Sequence, residues 1–305
     1  QRSYDLGIAL GMSTTHTVHS SKGLNNGSAK WLVVMLKRCR RSSFEGGCWV
    51  TDDKLNEYAK SVRKRIFEFK TRTSVGHLAS CLSCVDILVS LYNDPAVDFD
   101  HSKDMLIFSK AHGSPAVYPI LADLGYFPQE ELDRYATPSG ILKLHSDWKI
   151  PGCYHVGGSL GNNIGYAAGL AFDHAKRIFV ILGDAEMYEG AVWETLLFVS
   201  HHNLSNMTFI IDRNKLGILG ATEELLKLEP IDRKLESFGF DAHRIDGHSF
   251  SELRRAFAIS SSRPKVIIAE TVKGKGVSYM EGKWEWHTMI PKKPEEIAKG
   301  FEELS

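Results

Sequence analysis

The residues best placed to do chemistry lie in two short polar segments, each closing an apolar run. Gly183-Asp184-Ala185-Glu186 follows Ile178 to Leu182, and Asp212-Arg213-Asn214-Lys215-Leu216-Gly217 follows Met207 to Ile211. If the two runs are neighbouring strands, a carboxylate from Asp184 and a carboxamide oxygen from Asn214 arrive at one place and can share a hard divalent cation. Magnesium accepts a few protein oxygens and completes its octahedron with phosphate oxygens and water, so one formal charge from the protein suffices when the ligand carries phosphate. Gly183 and Ala185 are small enough for backbone amides to approach that phosphate. The plainer alternative is that Asp184 only caps a helix; its pairing with an Asn after the next apolar run favours the cation.

Such a site needs strands that end side by side. Thr51 or Asp52 can cap a helix in which Leu55, Tyr58, Val62, Ile66 and Phe69 recur at three- and four-residue steps. A second helical run, Leu82 to Tyr92, stops at Asn93-Asp94-Pro95. Strands are then expected over Met105–Ser109, Ile178–Leu182, Met207–Ile211, Asp241–Ile245 and Val266–Ala269. Between and around them, helices are expected over Pro115–Leu124, Ile164–His174, Ala191–His202, Ile231–Phe238 and Ser249–Ile259. Strands without polar alternation, separated by helices, indicate an α/β fold: a doubly wound, mostly parallel sheet with helices on both faces. In such sheets ligands sit at the carboxyl ends of the strands. One domain is expected over 51–290, followed at 291–305 by a polar tail with a short helix.

Composition fits a globular protein: 43% hydrophobic and 24% charged residues over 305, with 37 basic residues balancing 37 acidic ones. A net charge of zero provides no general attraction to nucleic acid or anionic lipid, and no apolar run in the sequence is long enough to span a bilayer. Of five cysteines, Cys81 and Cys84 form a CxxC inside an apolar helical pattern with no second pair to complete a zinc site, so they read as structural thiols. Few cysteines suit a reducing cytoplasm. Residues 1–50 differ, being basic and rich in Ser, Thr and Gly; they read as an unstructured extension, with a transit peptide as the alternative.

The polar segments resemble a known pattern. Gly183-Asp184 with Asn214 is similar to the thiamine-diphosphate signature, Gly-Asp-Gly followed by a distant Asn. From Thr71 to His287 the chain resembles the transketolases, with motifs in family order. Thr73-Ser74-Val75-Gly76-His77 is similar to the family's Ser-Gly-His segment, and Ser109-Lys110-Ala111-His112-Gly113 to its strand-end His-Gly. Pro151-Gly152 with Gly158-Ser159-Leu160-Gly161 resembles its Pro-Gly and Gly-Pro-Leu-Gly, and His145 stands six residues before Pro151, where the family keeps a substrate-binding His. Thr271 to Gly276 and Trp286-His287 resemble the close of the domain in two-chain transketolases. Three departures stand out: Ala185 for Gly, Ser159 for Pro, and Asn162-Asn163 for Gln-Gly. A methyl group at 185 requires a negative φ.

The resemblance implies roles. Asp184, Asn214 and the Leu216 carbonyl would hold Mg²⁺ or Ca²⁺. His112 and His287 would contact the diphosphate, near Gly183 and Ala185, while Gly158, Ser159 and Leu160 would receive the aminopyrimidine. His77, His145 and His287 would act as catalytic residues, hydrogen-bonding sugar hydroxyls or moving protons. His101, His174, His201, His202, His243 and His248 read as ordinary surface or core residues. Glu189 could support a dimer interface or merely start a helix, and Lys273 and Lys275 read more readily as a solvated loop than as phosphate ligands. The implied reaction moves a two-carbon ketol unit from a ketose phosphate to an aldose phosphate, the cofactor's ring serving as electron sink. Its activating glutamate would come from a pyrimidine-binding domain on a partner chain, the C-terminal transketolase subunit, in a heterotetramer of two heterodimers. A 1-deoxyxylulose-phosphate synthase-like or 2-oxo-acid dehydrogenase-like subunit and a non-catalytic homologue are the alternatives.

Overall fold

Thr51 caps the first helix, its hydroxyl accepting a hydrogen bond from the Lys54 amide at 3.4 Å. Asp52 and Asp53 place negative charge in the first turn, where the helix dipole favours it. The computed structural model describes residues 50–305 apart from 101 and 174, so residues 1–49, His101 and His174 lie outside the described residues. Helix α1 (Asp52–Thr73) buries the expected stripe Leu55, Tyr58, Val62, Ile66 and Phe69. Each such side chain stabilises the fold by about 1.5–3 kcal/mol when fully buried. The helix stops at Ser74 in the left-handed conformation. Next come α2 (Leu78–Leu82) and α3 (Val85–Asn93). The run expected to start at Leu82 begins instead at Val85, because Cys84 leaves the helical conformation at φ −95 and ψ 7; the Ser83 hydroxyl before it donates to Asp212 Oδ2 at 2.7 Å.

Strand β1 (Asp104–Phe108) leads into a 3₁₀ turn over Ala111–Val117 and α4 (Tyr118–Asp123). Pro119 has no N–H to bond the Pro115 carbonyl in α-helical fashion, so the helix expected from 115 opens as this tighter turn and becomes α-helical only from Tyr118. Along the chain follow α5 (Glu130–Asp133), α6 (Asn163–Asp173), β2 (Arg177–Gly183), a 3₁₀ turn Ala185–Tyr188, α7 (Gly190–His201) and β3 (Met207–Arg213). After these come α8 (Thr222–Leu225), α9 (Ile231–Ser237), β4 (Asp241–Asp246), α10 (Phe250–Ala258) and β5 (Lys265–Glu270). The described chain closes with a 3₁₀ turn Trp284–His287 and α11 (Pro294–Glu303).

The five strands form one sheet in the order β1-β2-β3-β5-β4, every pair parallel. Successive strand residues face opposite sides, and both sides are apolar. Phe179, Ile181, Ile210 and Ile267 pack with α1, α3 and α10 residues such as Ile66, Leu88 and Leu253. Ile178, Val180, Leu182, Phe209 and Ile268 pack with α6, α7 and α9 residues such as Ile164, Leu196 and Leu235. Burial on both faces is why these strands lack polar alternation. Cys81 and Cys84 are buried and free.

The 291–305 segment does contain a helix, and it docks. Gly300 lets α11 approach α1 so closely that an added Cβ would stand 2.3 Å from the Phe67 ring. Phe301 meets Phe67 edge-on at 5.1 Å, and Leu304 is buried.

Candidate active site at the carboxyl ends of the strands

Gly183 pairs with Asp212 across β2 and β3, so Asp184 and Asn214 leave neighbouring strands at the same edge. Both are buried. Asp184 Oδ2 accepts from the Lys215 amide at 2.6 Å, and Asn214 Oδ1 accepts from the Leu216 amide at 3.2 Å. Consecutive amides of one loop therefore each engage one of the two side-chain oxygens expected to share a cation. The third expected oxygen, the Leu216 carbonyl, accepts from Lys273 Nζ at 3.0 Å. A carboxylate, a carboxamide oxygen and a backbone carbonyl make a hard oxygen set that suits Mg²⁺ or Ca²⁺. The plainer alternative is also realised in part, since Asp184 Oδ1 caps the 3₁₀ turn by accepting from the Ala185 amide at 2.8 Å. Ala185 is not among the described residues with positive φ, which satisfies the condition its methyl group sets. Burial, and then the charge of Asp212, push the Asp184 carboxyl up, against the pull of Arg213 and Lys273.

Four histidines expected from separate segments meet in one row. The His77 ring stacks on His112 at 3.8 Å and stands edge-on to His287 at 5.3 Å. His112 in turn meets His145 at 4.8 Å. His77 sits at φ 67 at the head of α2, and the buried Lys70 donates to the preceding Gly76 carbonyl at 2.9 Å. Gly76 has no room for a side chain, because a Cβ there would lie 2.7 Å from the Thr288 carbonyl oxygen. That contact brings the His287 segment over the His77 turn. Burial lowers His77 to about 3, with His112 and His287 adding to the effect. It lowers His112 to about 4 and, with Lys273, His287 to about 3. These three imidazoles are neutral at neutral pH. Nδ1 of His77 and of His145 is buried without a protein partner, and an uncompensated buried polar atom is costly unless a ligand satisfies it.

Gly158 adopts φ 123 beside the His145 ring, and Gly161 adopts φ 74, where a Cβ would stand 2.7 Å from Glu189 Cβ. Between them Ser159 and Leu160 are exposed, Leu160 by 47%. Glu186, which sequence reasoning passed over, ties this loop to the strands. Its carboxylate accepts from Ser109 Oγ at 2.5 Å, Gly161 N at 3.0 Å and Gly183 N at 3.1 Å. The four-residue string Gly-Asp-Ala-Glu contained it, but nothing in its spacing marked it apart from its neighbours. Lys110 and Asp212 form a buried ion pair beneath, joined by Ser83 and Thr271. Glu189 heads α7, without a side-chain cap bond.

Lys273 corrects its expectation. It is 2% exposed, not solvated, and its ammonium bridges the Leu216 carbonyl and His287 Nδ1 (2.8 Å). Burial lowers it to about 8, with Lys110 adding to the effect. The histidine row is thereby linked to the Asp184–Asn214 loop. His248 is a satisfied core residue, paired with Asp86 at 2.6 Å and accepting from the Val272 amide. His243 pairs with Asp241; His202 meets Phe172 edge-on and Phe198 at a tilt, and His201 stands edge-on to His202.

Comparison with known proteins places this geometry. The transketolase thiamine diphosphate binding domain profile matches residues 56–304. The chain is 35% identical over 266 residues to one subunit of an apulose-4-phosphate transketolase from Actinobacillus succinogenes, covering 83% of this chain and 96% of that one. It is 36% identical over 249 residues to a 6-deoxy-6-sulfo-D-fructose transketolase subunit of Clostridium sp. (strain MSTE9), covering 77% and 90% of the two chains. Among solved structures, a transketolase from Campylobacter jejuni superposes with a TM-score of 0.73 at 27% identity. That match covers 82% of this chain but 42% of the other, so this chain spans about two-fifths of that protein's length.

Proposed function

This chain belongs to the transketolase family, as its thiamine-diphosphate-binding domain, and on that premise we propose that it is one subunit of a two-chain enzyme that moves a two-carbon ketol unit from a ketose phosphate to an aldose phosphate. The observation that carries the reading is the convergence, at one sheet edge, of a hard oxygen set and a row of four histidines from distant segments. Bound thiamine diphosphate supplies the electron sink that lets a carbon–carbon bond next to a carbonyl break and re-form.

The chain's own residues bind, orient and exchange protons. Asp184, Asn214 and the Leu216 carbonyl would hold Mg²⁺ or Ca²⁺ against the diphosphate. The small residues Gly183 and Ala185 leave room there, and Lys273 supports the charge balance from the Leu216 side. His112 and His287 would offer imidazole N–H groups to phosphate oxygens; Lys273 on His287 Nδ1 and a further hydrogen bond to the Gly217 backbone orient that ring. A neutral imidazole provides one donor and one acceptor, which suits sugar hydroxyls, and the unpartnered Nδ1 atoms of His77 and His145 are available for them. Gly158, Ser159 and Leu160 form an exposed lip suited to the aminopyrimidine, Gly158 through its backbone and Leu160 as an apolar rest.

The activating glutamate and the far wall of the pyrimidine pocket would come from a partner chain, the C-terminal transketolase subunit, in a dimer of heterodimers. Relatives that this chain covers almost end to end are named as subunits, which supports this assembly. So do exposed apolar residues near the site, Leu160, Ile218 and Leu219, and those on α6 and α7, Phe172, Leu197 and Phe198. No helix of the described residues is long and apolar enough to cross a membrane; the proposed location is the cytoplasm.

The test has two arms. Calorimetry of the chain with thiamine diphosphate should give heat that depends on Mg²⁺. Turnover of a ketose phosphate with an aldose phosphate acceptor should require both chains. Metal-independent binding, or turnover of pyruvate in preference to a ketose, would overturn the reading.

A further inference from the structure

We propose that Arg213 sets how tightly the Asp184–Asn214 loop holds a divalent cation, acting as a positioning residue through the Asp184 carboxylate. The inference rests on the cation reading given above. Arg213 is 0% exposed, so its guanidinium touches no ligand directly. Its Nη1 lies 3.2 Å from Asp184 Oδ2 and donates to Thr222 Oγ1 at 2.7 Å. A permanent positive charge therefore sits against the one carboxylate offered to the cation. Like charges compete for that oxygen, and guanidinium cannot be neutralised by losing a proton.

Two glutamates draw the guanidinium the other way. Nη2 donates to Glu223 Oε1 at 2.8 Å and to Glu229 Oε1 at 3.1 Å, and Nε lies 3.3 Å from the same Glu229 oxygen. Glu229 is shared with Arg244 at 2.8 Å, Arg244 holds Glu270 at 2.6 Å, and Glu270 holds Lys215 Nζ at 2.6 Å. The Lys215 amide returns to Asp184 Oδ2. A ring of alternating charges thus closes on the cation loop. The more fully Glu223 and Glu229 claim Arg213, the more of the Asp184 charge is left for a metal ion.

A purely structural strut predicts that any break in the ring weakens binding. The charge-setting role predicts opposite signs. In the full chain with its partner and saturating thiamine diphosphate, Mg²⁺ titrated alone and read by calorimetry should bind about tenfold more tightly to Arg213→Gln. It should bind about threefold more weakly to Glu223→Gln, whose side chain is partly exposed and keeps its hydrogen-bonding shape. Arg213→Lys retains the charge and should not tighten binding. If the unaltered protein binds Mg²⁺ while Arg213→Gln and Glu223→Gln both bind it less well, the Arg213 role is wrong and the cation reading stands. If the unaltered protein shows no Mg²⁺ binding, the cation reading falls and this role with it.

Discussion

Glu186 receives three donors on one buried carboxylate, from Ser109, Gly161 and Gly183. Glutamine has one acceptor oxygen there and would turn an NH₂ group toward an N–H. Leaving a buried donor unsatisfied costs about 1–3 kcal/mol, so Glu186→Gln should lower the urea midpoint and loosen thiamine diphosphate. An unchanged midpoint would show that the carboxylate holds nothing. The histidine row also sets a pH dependence. His77, His112 and His287 are lowered to about 3, 4 and 3, so the unfolded chain takes up protons near the ordinary imidazole value while the folded chain does not. Stability should fall as pH drops from about 6.5 toward 4, and His77→Asn should flatten that slope in urea melts; an equal slope in both proteins would refute the assignment. The histidines and Asp184 were legible because their types and order matched a pattern. Arg213, Lys273 and Glu186 were not, because what matters in them is the partner each finds in space.

The loop 158–161 is held between elements, and its geometry leaves little choice of residue. Gly161→Ala would need φ 74 and would bring two Cβ atoms within 2.7 Å. The loss should exceed about 1 kcal/mol in chemical unfolding, with a larger effect on cofactor affinity than on fold. Wild-type cofactor affinity in this variant would show that the loop does not shape the site. Helix α11 offers a separate test. Leu304→Ala empties a buried position and should cost about 2–5 kcal/mol in the same unfolding measurement, although the sequence reads there as a polar tail with a short helix. Its buried face is made by a few residues, Gly300, Phe301 and Leu304, too few to stand out beside so many charges. The strands were easier to read, since burial on both faces leaves unbroken apolar runs. Helix starts at Leu82 and Pro115 were misjudged because a backbone turn at Cys84 and the missing N–H of Pro119 act locally, beneath the level of periodicity.

At the scale of the whole molecule, Phe172 and Leu197 on α6 and α7 are 59% and 58% exposed, an apolar patch that water disfavours. Leu197→Glu should shift the mixed two-chain enzyme toward smaller species in analytical ultracentrifugation while leaving the isolated chain folded. An unaltered sedimentation profile would place the interface elsewhere. No composition statistic pointed to this patch; it exists only once two helices lie side by side. The contact between Gly76 and Thr288 has a further consequence for biosynthesis. The near wall of the catalytic cleft is translated before any strand of the sheet, but the segment that closes over it is translated after all five. On the proposed reading, a polypeptide lacking those closing residues would keep all five strands and yet have no His287 over the His77 turn, so its hold on the cofactor would be incomplete. Full cofactor affinity would thereby report that every strand beneath the cleft has already been made.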